Sequence, residues 1–222
     1  MTGDKAARRV RVDVVSDVIC PWCFIGKRNL EAALASRPDI AVDVHWRAFQ
    51  LNPDMPRDGM ERRAYLEAKF GRSDGGGIYE RVTAAGQRAG IDFAFDRIAR
   101  TPNTVAAHRL IALAAEEDRQ DAVVEALFDG YFRAGRDIGS LDQLAALAQT
   151  AGLSEVAIEK LRGSDAAEAD VLAEDEIARQ SGIHGVPCFI VDRAFAVSGA
   201  QPPETLAAAL DHALAMRDQA VA

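Results

Sequence analysis

Cys20-Pro21-Trp22-Cys23 stands at the point where an alternating, β-branched run gives way to a helical period. Residues 10–15, VRVDVV, read as a strand. Residues 21–36 place Phe24, Ile25, Leu30, Ala33 and Leu34 on one apolar stripe and read as a helix, stopped by Pro38. Residues 40–49, IAVDVHWRAF, alternate again and make a second strand. Strand, helix, strand with short links is a βαβ unit, so the cysteine pair opens the crossover helix of a parallel strand pair.

That placement has chemical content. Cys20 falls near the N-cap, where unpaired backbone N–H groups and the positive end of the helix dipole stabilise a thiolate. Pro21 suits the first helical position, where its missing N–H costs nothing. Cys23, one turn on, can close a short disulfide ring with Cys20. Trp22 offers a substrate a flat apolar contact beside the reactive sulfur. Lys27 and Arg28 add positive charge along the same helix, too far away to dominate. Two other readings are weighed against the redox pair. The cysteines could be small core hydrophobes, but an exposed helix start is a poor place to bury two. They could join His184 and Cys188 in a zinc site, as in a non-enzymatic redox or zinc sensor. The helix-start placement favours the redox pair, and no metal is assigned.

From about residue 60 to 181 the chain shows no convincing strand. Helical stretches read at about 61–70, 76–89, 103–118, 121–134, 140–151, 154–162 and 165–181. Strands return at Cys188–Val191 and Ala194–Val197, joined by a two-residue turn at Asp192-Arg193. Pro202-Pro203 opens a last helix with Leu206, Leu210 and Leu214 on one stripe. The fold class is therefore α/β, with residues 1–58 as βαβ, 59–180 as a helical insertion and 181–222 as ββα.

Composition narrows the function. With 222 residues and 49% of them apolar, the chain can bury a core without staples. A net charge of -8 argues against nucleic acid as a partner. Residues 116–176 carry 16 acidic and 5 basic residues, a pattern read as a solvated acidic face. No apolar run reaches the roughly 18 residues of a membrane span. No apolar h-region follows the N-terminal charges, so the expected compartment is the cytoplasm. Three cysteines are too few for a disulfide scaffold, and in a reducing compartment a close pair is catalytic or metal-binding.

Asp13 to Gly26 (DVVSDVICPWCFIG), Trp46 to Pro53 (WRAFQLNP), Asn103 to Leu110 (NTVAAHRL) and Gly185 to Gln201 (GVPCFIVDRAFAVSGAQ) together resemble the thioredoxin-fold DsbA family. The resemblance is to its FrnE-like branch, whose relatives include 2-hydroxychromene-2-carboxylate isomerases and kappa-class glutathione transferases. It implies a thioredoxin-like fold around the helical insertion and a thiol–disulfide oxidoreductase. Cys20 would be the nucleophile and Cys23 the resolving thiol. Pro187 would be cis against the disulfide, and the Val186 backbone would pair with an extended peptide or with glutathione. Asn52 and the Gly199-Ala200-Gln201 loop lie where the glutathione-using relatives hold that molecule. Those relatives carry serine at the first cysteine, so Cys20 favours disulfide exchange over glutathione-dependent isomerisation of a small aromatic substrate. The implied partners are protein or small-molecule thiols and disulfides. No cofactor is required, glutathione as co-substrate is left open, and so is a homodimer, common among the related glutathione enzymes.

Four further residues are placed by pattern. Strand alternation turns Cys188 away from the pair, as an inert buried thiol. His184 reads as a loop residue and His108 as a packed helical histidine. Asp17, three residues before Cys20, is either a turn residue or a carboxylate that moves protons for the thiols.

Overall fold

The computed structural model describes residues 9–71 and 77–221. Strand β1 (Arg9–Ser16), helix α1 (Pro21–Ala35) and strand β2 (Ala41–Ala48) form the βαβ unit. A helical block follows: α2 (Arg62–Phe70), α3 (Gly77–Arg88), α4 (Val105–Ala115), α5 (Gln120–Phe132), α6 (Leu141–Thr150), α7 (Glu155–Gly163) and α8 (Glu168–Gln180). Two short strands, β3 (Met60–Glu61) and β4 (Arg100–Thr101), lie within it, and β5 (Cys188–Val191), β6 (Phe195–Ser198) and α9 (Pro203–Val221) close the chain. The main sheet has the order β2-β1-β5-β6. β1 runs parallel to β2, from Arg9↔Ala41 to Ser16↔Ala48, and antiparallel to β5, with Val15 opposite Cys188.

Two of the secondary-structure readings are corrected. The stretch from 60 to 181 is not free of strands: Met60 pairs with Thr101 and Glu61 with Arg100. Two residues are too few for any period to register. The β5–β6 hairpin has three connecting residues, since Val191 pairs with Phe195. Asp192 and Arg193 both take positive φ, 50° and 57°, although neither is glycine. The Asp192 carboxylate accepts the Arg11 N–H at 2.9 Å and pairs with Arg217 at 2.6 Å, which holds this turn in place.

Successive β1 residues serve opposite layers. Val12 and Val14 join Phe24 and Leu30 of α1 and Leu206 and Leu210 of α9 in the main core. Val15 packs with Cys188, Phe49 and Ala178 of α8 on the other face. The main core runs without a break into the helical block. The Phe24 ring stacks on Phe128 at 5.1 Å and on Phe132 at 6.2 Å, both from α5.

The acidic stretch is not simply a solvated face. Lys27, 2% exposed, lies 3.0 Å from Asp121 and 3.1 Å from Glu125 and also pairs with Glu31. Arg28 donates to Glu125 at 2.9 Å. Arg47 of β2 reaches Glu174 of α8 at 2.7 Å. Lys27 and Arg28 thus hold the helical block against α1, and their charge is spent there. On the sheet, burial alone would raise the Asp13 carboxyl, but hydrogen bonds from Arg11 and Arg47 hold it at about 2. A depressed carboxyl contributes stability above its unfolded value of 3.8 and loses it as pH falls through about 2, a contribution of about 2 kcal/mol. In urea titrations, the stability gap between the native protein and Asp13→Asn should narrow by about 1 kcal/mol from pH 5 to pH 3.

Candidate active site

The β1–α1 junction sets the site. Ser16 ends the strand, the Asp17 carbonyl accepts the Cys20 N–H at 3.0 Å, and Cys20 becomes the N-cap of α1 in an extended conformation. No side chain caps the helix, so its first N–H groups are left to whatever occupies the Cys20 position. Pro21 takes the first turn as the sequence predicts. Both cysteines are free thiols. Cys20 is 5% exposed and Cys23 1%, so only Cys20 keeps a path to solvent.

Trp22 is the open element of the motif, 39% exposed, while Pro21 is half-buried. Facing them, the Cys20 Sγ donates to the Val186 carbonyl at 3.6 Å. The Val186–Pro187 peptide is cis, and Pro187 is buried immediately before β5. A Cβ at Gly26 would lie 2.8 Å from Pro187 Cγ and 3.2 Å from Phe189 Cζ, so this close approach needs glycine on α1. The sequence reading passed over Gly26. The only hint was a glycine inside a helix that propensity disfavours.

The two thiols sit in unequal surroundings. Burial pushes the Cys23 thiol well up, and the neighbouring Cys20 adds to that. Hydrogen bonds from the Ser16 hydroxyl and the Asp17 backbone oppose it only in part. The inner cysteine is therefore held as a protonated thiol. The Asp17 side chain points elsewhere: its Oδ2 accepts the Leu51 N–H at 2.7 Å, and Oδ1 lies 3.5 Å from His108 Nε2. His108 also meets the Phe49 carbonyl at 3.1 Å. Asp17 is a buried tie between the β1–α1 turn and the segment after β2.

The other residues singled out from sequence fall as follows. Asn52 is half-buried, its amide donating to the Tyr65 hydroxyl at 3.2 Å and accepting from Lys69 at 2.7 Å. The Gln201 amide donates to the Ser198 carbonyl at 2.9 Å, so it braces its own turn, while the Gln201 carbonyl accepts from Asn29 at 2.9 Å. Cys188 is buried on the far face of the sheet, where burial pushes its thiol up. His184 is exposed. Among the described residues no three His, Cys, Asp or Glu side chains converge as a metal site.

The sequence model of the DSBA-like thioredoxin domain matches residues 11–211. A probable DsbA oxidoreductase from Streptomyces coelicolor is 34% identical, with a TM-score of 0.83, over 92% of this chain and 89% of that one. A cytosolic disulfide reductase, DsbM, from Pseudomonas aeruginosa, solved with GSH, is 18% identical with a TM-score of 0.61, covering 95% of this chain and 98% of that one. A 2-hydroxychromene-2-carboxylate isomerase is 16% identical with a TM-score of 0.68, covering 96% and 99%. The last two likenesses are of fold.

Proposed function

Because the chain belongs to the DSBA-like thioredoxin domain family, we propose that it is a thiol–disulfide oxidoreductase working through Cys20 and Cys23. The observation that carries this reading is the asymmetry of the pair. Cys20 caps α1 with its sulfur against the Val186 carbonyl, and Cys23 lies buried one turn behind with its thiol pushed well up. The Cys20 thiolate attacks a substrate disulfide, a Cys20–substrate bond forms, and one substrate thiolate leaves. Cys23 then attacks the Cys20 sulfur, the second substrate thiolate departs and takes the Cys23 proton, and the Cys20–Cys23 disulfide remains. Run backwards, the same steps oxidise a substrate dithiol.

Pro21, Trp22, Val186 and Pro187 line the approach to Cys20, so they are the proposed substrate contacts. Glutathione enters as a co-substrate of the same exchange. The amide of Asn52, fixed between Tyr65 and Lys69, supports that extension. Gln201 contributes by bracing the neighbouring loop. The proposed compartment is the cytoplasm; among the described residues no helix is long and apolar enough to cross a membrane.

The test is equilibration in glutathione buffers of graded ratio, quenched by alkylation and read by intact mass. One two-electron transition at Cys20 and Cys23 is expected, with Cys188 alkylated only after unfolding. A midpoint near about -270 mV would make the protein a reductant, and one near about -120 mV an oxidant. Thiols that stay reduced in every buffer would sink the proposal.

A further inference from the structure

A groove of about 600 Å³ opens beside the motif, between α1, α3 and the loop before α9. Trp22 and Asn29 line one side, Arg81 and Arg88 the other, and Pro202 the end. Ala84 and Ala85 of α3 and Ala89 just after it complete its wall, and no acidic residue lines it. Asn29 is already spent on the Gln201 carbonyl, which fixes the loop wall.

The two arginines set this groove apart. The chain carries a net charge of -8, and its other basic side chains near the site, Lys27, Arg28 and Arg47, are all paired with carboxylates. Neither Arg81 nor Arg88 has an ion pair or side-chain hydrogen bond among the described residues. Seven positions apart, they share one face of α3 and stand about 10 Å apart along its axis. A planar guanidinium with no internal partner, beside an apolar wall, is a carboxylate receptor. Trp22, two residues after Cys20 and 39% exposed, supplies a flat apolar surface in the same groove.

We propose that this groove is a selectivity site that favours small-molecule disulfides carrying carboxylates. It seats their apolar part on Trp22 and their carboxylate on Arg81 or Arg88, with the sulfurs at Cys20. The assignment rests on the exchange reaction proposed above. In one turnover the Cys20 thiolate displaces one substrate thiolate, and Cys23 displaces the second and gives up its proton. The protein dithiol is oxidised to the disulfide and the substrate is reduced to two thiols, with no further reactant.

The test is single-turnover reduction by the fully reduced protein of two aromatic disulfides, dithiobis(nitrobenzoate), which carries carboxylates, and dipyridyl disulfide, which carries none. The Arg81→Gln/Arg88→Gln variant should slow the first reaction about fivefold or more and leave the second within about twofold. The preference should shrink at high salt, and Arg81→Lys/Arg88→Lys, which keeps the charge without the planar fork, should retain only part of it. Parallel loss with both probes, or no loss with either, would overturn the assignment. So would a variant that slows only an acidic cystine-bearing peptide, which would make the groove a polypeptide site. If the native protein reduces neither probe, the exchange reaction itself fails, an outcome distinct from all of these.

Discussion

Cys20→Ser should abolish disulfide exchange, whereas Cys23→Ser should stop it half way. Cys20 is the outer sulfur, against the Val186 carbonyl and at the helix start. A serine hydroxyl there is a far weaker nucleophile at neutral pH, so the exchange rate should fall by about 1,000-fold or more. In the proposed exchange Cys23, 1% exposed behind Cys20, makes no first contact with substrate. Its removal leaves the first step intact and strips away the group that clears the mixed disulfide. The Cys23→Ser protein should therefore accumulate a covalent adduct on Cys20, visible by intact mass and released by reductant. An adduct on Cys188 instead, or native rates in Cys20→Ser, would reverse these roles.

Phe128→Ala should destabilise the whole molecule by about 3–5 kcal/mol. Phe128 is fully buried on α5, yet its ring stacks on Phe24, which lies one residue beyond Cys23 on α1. It also meets the edge of Trp46 on β2 at 6.4 Å. The helical block and the sheet therefore share one aromatic cluster. For a chain of this size each kcal/mol lowers Tm by roughly 2–4 °C, so a fall of roughly 6–20 °C is expected. Far-ultraviolet dichroism, which follows the helices, and tryptophan fluorescence, which follows Trp22 and Trp46, should shift together. A helical signal that melts while the fluorescence stays native would show two separable cores.

The residues explain which parts of this arrangement could be read in advance. β1, α1 and β2 were legible because each buries a face with a fixed period, and Phe24, Ile25, Leu30 and Ala33 are buried as that period requires. The CPWC pair was legible because helix starts have their own chemistry. What stayed hidden was pairing across long separations. Nothing local marks Asp121 and Glu125 as partners of Lys27, or Gly26 as the seat of Pro187. Nothing local marks Arg81 or Arg88 as part of a site, and the loop before α9 helps turn that face of α3 into a groove. The NTVAAHRL segment, read as a helix start and as part of the family resemblance, proves also to be a set of ties. Asn103 donates to the Met55 carbonyl at 2.8 Å, and Arg109 donates to the Ala166 carbonyl at 2.8 Å.

The wall opposite Cys20 comes from the far end of the chain. Cys20 and Val186 are 166 positions apart, so at about 5–20 residues per second the ribosome releases the first roughly 10–30 s before the second. Throughout that interval β1 lacks its β5 neighbour, and Cys20 lacks the Val186 carbonyl that faces it. The nascent chain thus presents the Cys20 thiol to passing oxidants, and its shelter arrives only once Val186 has been made.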